Sequence, residues 1–263
     1  MKENQFDFNS FIDSLPLSRA YPCSYFDERL SVVKAFFNRG KIEPQLLESI
    51  LNLGIRRSGN IYYQNHCPQC SMCLSYRVVL DRFQLTGSQK RILKRNKDIK
   101  VRFTYPHVTY EKESLYIRYN YLQHYLKPGQ TGQRREEFDK EKVLSTMYDQ
   151  MYSNSENSLE MEIFLKNHLV GFAVFDIAVK SLSAVYSVYD VEDRRRSLGT
   201  YIILKSIEWA RSMNFHYYHL GFYIPGHPKM DYKSHYKNAE IRNPETGKWE
   251  DAEKIISQFR HSL

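Results

Sequence analysis

Four cysteines are the residues of this sequence best suited to a defined chemistry. Cys67-Pro-Gln-Cys70-Ser-Met-Cys73 is a C-x2-C-x2-C run, and Cys23 stands well upstream of it. With a distant fourth thiolate such a run completes a tetrahedral zinc site or holds an iron–sulfur cluster. The spacing suits a cluster better than a zinc ribbon, which pairs two C-x2-C knuckles. The other reading is that these thiols are small buried hydrophobes. A reducing compartment disfavours disulfides.

A second set of residues is cationic. From Ser88 onward Lys90, Arg91, Lys94, Arg95 and Lys97 surround Ile92 and Leu93. At 3.6 residues per turn this spacing predicts a helix with stacked basic stripes, a surface for a polyanion. Arg194-Arg195-Arg196-Ser-Leu-Gly199 stands where a strand should feed a helix N-terminus, whose free N–H groups favour a phosphate. An N-acyltransferase holds its pyrophosphate there on a glycine-rich turn. Here only Gly199 remains and Tyr201 fills a small-residue position, which speaks against coenzyme A.

The elements that must position these groups are legible in outline. Helices are expected over Asp27–Asn38, Pro44–Leu53, from Ser88, Thr109–Tyr125, Phe138–Tyr148 and Leu198–Met213. Strands are expected over Asn60–Tyr63, Leu74–Leu80, Val101–Tyr105, Leu159–Lys166, Leu169–Val179, Leu182–Val188 and Phe215–Leu220. Loops are expected over Pro128–Gly132 and Gly221–Met230. After residue 106 the order helix, helix, three-stranded meander, helix, strand is that of an N-acyltransferase (GNAT-like) core.

Charge divides the chain in the same place. The net charge is +8, from 38 Lys+Arg and 30 Asp+Glu. Residues 1–105 carry 17 basic and 9 acidic side chains, whereas residues 106–263 carry 21 of each. The expected fold class is therefore α+β, with a small basic cysteine-containing domain over 1–105 and a GNAT-like mixed-sheet domain over 106–263. A composition of 42% hydrophobic and 26% charged residues excludes collagen-like and disordered chains. No apolar run approaches the ~18–20 residues of a spanning helix. The N-terminus MKENQFDFNS lacks the pattern of a secretory signal. The expectation is a cytoplasmic protein without membrane contact.

Several segments, taken in order, resemble the arginyl-tRNA–protein transferase family in its bacterial aspartate/glutamate leucyltransferase form. They are Tyr21-Pro-Cys-Ser-Tyr25, Gly54-Ile-Arg-Arg-Ser-Gly59, Tyr63 through Cys73 and Ser88–Asn96. In the second half they are Tyr186-Ser-Val-Tyr-Asp190, Ser197-Leu-Gly-Thr-Tyr201, Tyr218–Pro225 and Met230-Asp-Tyr-Lys-Ser-His-Tyr-Lys237. Val191 departs from a proline common in the family, and Gln123-His124 from an Arg-His pair.

The resemblance implies transfer of leucine from leucyl-tRNA to the N-terminal Asp or Glu of a protein, marking it for N-degron degradation through a downstream protease adaptor. No cofactor is required for transfer. Alternatives are leucyl or phenylalanyl transfer to N-terminal Arg or Lys, a non-catalytic RNA-binding metal module, and a coenzyme-A acetyltransferase. Asp190 beside Tyr189 is the candidate base or amine-orienting group. An acidic acceptor needs cations, for which Arg57, Lys233 and His235 are candidates, with Tyr63 and Tyr236 as hydrogen-bonding partners. Phe222 and neighbouring aromatics would house the aminoacyl side chain. Lys90, Arg91, Lys94, Arg95, Arg194, Arg195, Arg196 and Gly199 would bind tRNA, and Cys23, Cys67, Cys70 and Cys73 a metal.

Overall fold

The computed structural model describes residues 8–126 and 137–260, so the Pro128–Gly132 loop lies outside the described residues. Asp27–Asn38 is strand rather than helix. Leu30, Val33, Phe36 and Phe37 fit either period, but β-branched Val32 and Val33 with two aromatics favour a pleated surface that can pair. The chain forms β1 (Tyr21–Pro22), β2 (Leu30–Ser31) and β3 (Val33–Phe37), followed by β4 (Arg56–Ser58) and β5 (Ile61–Asn65). Strands β1 and β2 make a hairpin, and β3-β5-β4 make a small antiparallel sheet.

Eight further strands build one large sheet: β6 (Leu74–Val79), β7 (Ile99–Thr104), β8 (Ser158–Leu165), β9 (His168–Ile177), β10 (Ser181–Tyr189), β11 (Tyr217–Tyr223), β12 (Ala239–Arg242) and β13 (Trp249–Asp251). Their order is β13-β12-β6-β11-β10-β9-β8-β7. Only β10 and β11 run parallel. The helix, helix, meander, helix, strand order of the second half is present as expected.

The expected division at residue 105 is not a break in the sheet. Strand β6 lies between β12 and β11, and β7 forms the opposite edge, though both precede residue 105. The apolar alternation of these strands needs a sheet to complete it, and the neighbours come from the second half. Strand β11 also runs three residues past its expected end, to Tyr223.

Helices cover both faces. They are α1 (Phe8–Ser14), α2 (Pro44–Asn52), α3 (Gly87–Arg95), α4 (Tyr110–Asn120), α5 (Lys140–Met147), α6 (Leu198–Ser212) and α7 (Ala252–Arg260). Pro44 opens α2 at a position where its missing N–H costs nothing. Thr86 and Gln89 cap α3 reciprocally. One core joins α6, α7 and part of α3 to Met161, Phe175, Leu182 and Tyr218 of the sheet. On the other face Leu115, Tyr116 and Met147 of α4 and α5 cover Phe172, Val174 and Val188. A third cluster ties α2 to Ile55, just before β4, and to Tyr62 of β5.

Candidate active site

Strands β10 and β11 pair only over Ser181↔Tyr217, Leu182↔Tyr218 and Ser183↔His219. Beyond that point β10 stays with β9 as far as Tyr189↔Gly171, and β11 stays with β6 as far as Tyr223↔Leu74. Both strands carry an irregularity where they part, between Ala184 and Tyr186 and between His219 and Gly221. Such bulges bend a strand and strengthen its twist. A wedge therefore opens toward the carboxyl ends of two parallel strands, the usual place for a ligand in sheets of this kind.

Arg56 of β4 enters the wedge. Its guanidinium donates to the Ala184 carbonyl at 2.9 Å and lies 5.4 Å from the centroid of the Phe222 ring. Gly221, at φ +86°, leaves this space open, because any β-carbon there would overlap the guanidinium. Tyr63, opposite Arg56 in the β4–β5 register, meets Phe222 edge-on at 6.1 Å. Lys233 is buried, with its amine donating to the Phe222 carbonyl and lying 3.6 Å from the Met230 sulfur. Burial first, and then the Arg56 charge, push its pKa well below the ordinary lysine value, while Cys73 opposes the shift. Tyr25 is pushed up to about 12, by burial and then by Cys73 and Tyr63.

The other predicted acceptor residues do not join this group. Arg57 faces the opposite way and is saturated. Its five N–H donors reach both carboxylate oxygens of Asp176 (2.8 and 2.7 Å), Ser158 Oγ (3.1 Å) and the carbonyls of Gly59 (3.3 Å) and Ser153 (3.0 Å). It has no donor left for an acceptor carboxylate. Tyr236 is a core residue packed on Phe83, with ring centroids 6.3 Å apart. His235 is exposed, and its carbonyl accepts from Gln89 of α3. Sequence reading missed Arg56. Its signal is the alternation of side chains along β4, which sends neighbouring arginines to opposite faces without saying which face is the wedge.

The four cysteines are free and half-buried, and Cys73 lies within electrostatic reach of Lys233. Cys73 is pushed up to about 12 by burial, then by Cys67, Cys23 and Cys70 around it. Arg29 donates to Cys70 Sγ at 3.3 Å, and the Cys67 thiol donates to the Val32 carbonyl. Among the described residues no three of the cysteine sulfurs lie within 4.8 Å of one another. Four thiolates on one zinc at ~2.3 Å would stand roughly 3.8 Å apart. To hold one tetrahedral ion the sulfurs would therefore have to draw closer together than they stand.

His107, Glu160 and Glu162 do lie that close, but the position between the carboxylates is occupied. Lys112 Nζ sits 2.9 Å from Glu160 and 2.8 Å from Glu162, and Arg102 pairs with Glu162 at 2.6 Å. This is a buried ion network that fastens α4 to β8.

At the end of β10 a cleft of about 790 Å³ is lined by Leu122, Gln123, Tyr189, Asp190, Arg194 and Gly199 among others. Asp190 accepts from Arg118 of α4 at 3.1 Å and from the Glu192 backbone N–H at 3.0 Å, so its partner is not the Arg194–Arg196 run. Tyr189 meets the Tyr119 ring edge-on at 5.3 Å and lies over Gly199, where a β-carbon would come within 2.8 Å of the ring. Gly199 thus serves the packing of Tyr189 on α6. Tyr232 links cleft and wedge, lying within electrostatic reach of Arg56, Tyr189 and Tyr25.

The predicted cationic segments form one surface. Arg95 donates to the Arg195 carbonyl, Asn96 to that of Arg196 at 2.8 Å, and Arg196 pairs with both oxygens of Asp98 at 2.9 Å. Lys90, Arg91, Lys94 and Arg194 are exposed and make no ion pair among the described residues.

Residues 21–91 match the family described as arginine-tRNA-protein transferase, N terminus, and residues 111–243 match its C terminus. An aspartate/glutamate leucyltransferase of Leptospira interrogans is 41% identical over 257 residues, 95% of this chain and 96% of that protein. One from Hahella chejuensis is 33% identical over 84% of this chain and 90% of that protein. Among solved structures, a tandem GNAT protein from the clavulanic acid biosynthesis pathway covers 78% of this chain and 58% of its own, at 11% identity and TM-score 0.37. FemX covers 72% and 64% respectively, at 10% identity and TM-score 0.42. With both halves matched in order and relatives aligned almost end to end, the chain belongs to the arginine-tRNA-protein transferase family.

Proposed function

We propose that this protein moves leucine from leucyl-tRNA to the α-amine of proteins that begin with Asp or Glu. The observation that carries this reading is the 41% identity to an aspartate/glutamate leucyltransferase across 95% of the chain. The wedge with its two cations supports an acidic acceptor and disfavours the alternative with N-terminal Arg or Lys.

The reaction is attack of the α-amine on the leucyl ester carbonyl. A C–N amide bond forms and the ester C–O bond breaks. The departing 3′-terminal ribose hydroxyl of the tRNA takes up the proton that the amine loses. The amine's ordinary pKa of ~7.7–8.0 leaves a useful neutral fraction near pH 7, so positioning supplies much of the acceleration. Asp190, held by Arg118 at the cleft edge, orients the incoming amine or takes its proton, and Tyr189 forms the adjoining wall. The tRNA lies across the surface shared by α3 and Arg194–Arg196.

We further propose that Cys23, Cys67, Cys70 and Cys73 hold a metal, as zinc or an iron–sulfur cluster, which steadies the β1–β2 hairpin next to Tyr25 and Lys233. It takes no part in the transfer. No helix among the described residues is long and apolar enough to cross a membrane. That fits a cytoplasmic enzyme whose products pass to a protease adaptor.

Incubation with labelled leucyl-tRNA and peptides beginning Asp, Glu, Arg or Lys tests the function. Label should enter the Asp and Glu peptides. Label in the Arg and Lys peptides alone would reverse the acceptor assignment, and tRNA binding with no transfer at all would leave an RNA-binding module. Elemental analysis of anaerobically purified protein tests the cysteines. Metal-free protein of full activity would remove them from any metal site.

A further inference from the structure

The buried cations of this molecule divide into two groups. Arg57 pairs with Asp176, Arg77 with Glu240, and Lys112 with Glu160 and Glu162. Lys233, only 3% exposed, has no carboxylate partner among the described residues, and neither has half-buried Arg56 beside it. Arg56 uses one hydrogen bond of five N–H donors, to the Ala184 carbonyl. Burying the Lys233 amine, and half-burying the Arg56 guanidinium beside it, without a counter-ion is costly unless something supplies the missing charge.

We infer that Arg56, with Lys233 beside it, binds the side-chain carboxylate of the acceptor's first residue and thereby sets the preference for an acidic N-terminus. This rests on the proposed transferase function and assigns its specificity to one side chain. The remaining donors of Arg56 form a planar fork suited to a carboxylate, which an ammonium alone is not. Phe222 and Tyr63 enclose the fork and lower the local dielectric, so that a charged side chain is favoured there over its amide counterpart. Tyr232 lies within electrostatic reach of both Arg56 and Tyr189, and Tyr189 lines the cleft that holds Asp190, so an acceptor held by its side chain at Arg56 would extend its α-amine toward that cleft.

The same cations could instead meet a phosphate at the 3′ end of the tRNA, and the test separates the two. Peptides beginning Asp and Asn, matched in shape and differing in charge, are compared on the wild type, R56Q and R56K. Transfer from leucyl-tRNA and calorimetric binding of the peptide alone are both measured. The wild type should favour Asp over Asn by about 30-fold or more, the scale set by losing one partner of a desolvated charge pair. R56Q should bring that ratio to within about 3-fold, through the KM for peptide, with the KM for leucyl-tRNA unchanged. R56K, which keeps the charge but not the fork, should fall between and remains informative if R56Q does not fold.

An Asp-over-Asn ratio undiminished in either variant overturns the inference. So does an equal loss for both peptides with a raised KM for leucyl-tRNA, which would move the anion site to the tRNA. A wild type that transfers leucine to neither peptide refutes the proposed transfer to acidic acceptors. The calorimetric arm still decides the Arg56 assignment in that case, since equal or absent binding of the two peptides to the wild type overturns it.

Discussion

Arg56 and Arg57 are consecutive on one short strand and lead opposite lives. Arg57 faces the sheet layer that holds Asp176 and Ser158, where every one of its donors is met. Arg56 faces the parting of β10 and β11, where one donor is met and a second cation, Lys233, lies within electrostatic reach. On the proposed assignment, a cation whose hydrogen bonds are complete serves the fold, and one left incomplete at the mouth of the wedge serves a ligand. The same contrast separates Lys112, held between two glutamates, from Lys233, held by a carbonyl.

The largest effect that would test this division comes from the satisfied side. Arg57→Ala leaves Asp176 buried without its partner, which should cost about 3–5 kcal/mol of stability. Denaturant unfolding should show that loss, and the fraction that remains folded should keep its acidic-acceptor preference. An intact midpoint together with a lost preference would return Arg57 to the acceptor pocket and erase the contrast with Arg56.

Sequence alone revealed much of what lies along the chain and little of what lies across it. The meander β8–β10, helix α6 and the capped basic helix α3 have periodicity and end signals of their own. The insertion of β6 between β12 and β11 depends on partners more than 130 residues away in sequence, and no local pattern announces it. No expectation covered β12, β13 or α7, since strands of four and three residues leave almost no periodic signal. At the site, the cysteine run and the two basic segments were legible from residue type and spacing. The choice between Arg56 and Arg57 was not, because it depends on which face of a three-residue strand meets the wedge. Gly199 shows the same limit. Its position suggested phosphate, but the Tyr189 ring that covers it comes from another element.

That contact supplies the next test. Gly199→Ala would place a β-carbon within 2.8 Å of the Tyr189 ring. The ring would have to move from Tyr119 and from the cleft wall, at a cost of about 1–3 kcal/mol. The melting temperature and the turnover rate should fall together, while affinity for tRNA stays constant. Weakened tRNA binding with unchanged stability would restore the phosphate role to Gly199.

His219 probes the wedge by its pH response. It is buried at the root of the parting strands with no hydrogen-bond partner for Nε2 among the described residues. Burial first, then Arg77 and Arg56, push its pKa down to about 3. The unfolded chain, with an ordinary value near 6.5, therefore binds the extra proton between about pH 6.5 and 3. This contribution to stability is fully present above pH 6.5 and is lost as the pH falls through that window. The slope is at most about 1.4 kcal/mol per pH unit. His219→Asn should flatten the acid limb of the stability profile. An unchanged limb would show that other groups, such as Glu162, govern it. Burial raises the Glu162 carboxyl, but hydrogen bonds from Lys112 and Arg102 more than offset that and hold it below the ordinary value.

The smallest effect extends the contrast to the surface. Arg91 and Lys94 are exposed and make no ion pair among the described residues, whereas Arg196 is tied to Asp98, Asp193 and Asn96. Cations free of protein partners are the ones able to displace counter-ions from phosphates. Each such contact contributes roughly 0.7–0.9 to the slope of log affinity against log salt. Replacing Arg91 and Lys94 together by alanine should lower that slope by about 1.5 for leucyl-tRNA, and leave unfolding and acceptor choice unchanged. Arg196→Ala should do the reverse, loosening the junction between α3 and α6 with little change in slope. If Arg196 carried the salt dependence and the α3 pair did not, hydrogen-bond completeness would not distinguish structural from ligand-binding cations on this surface. The reading of Arg56 would then rest on its place in the wedge alone.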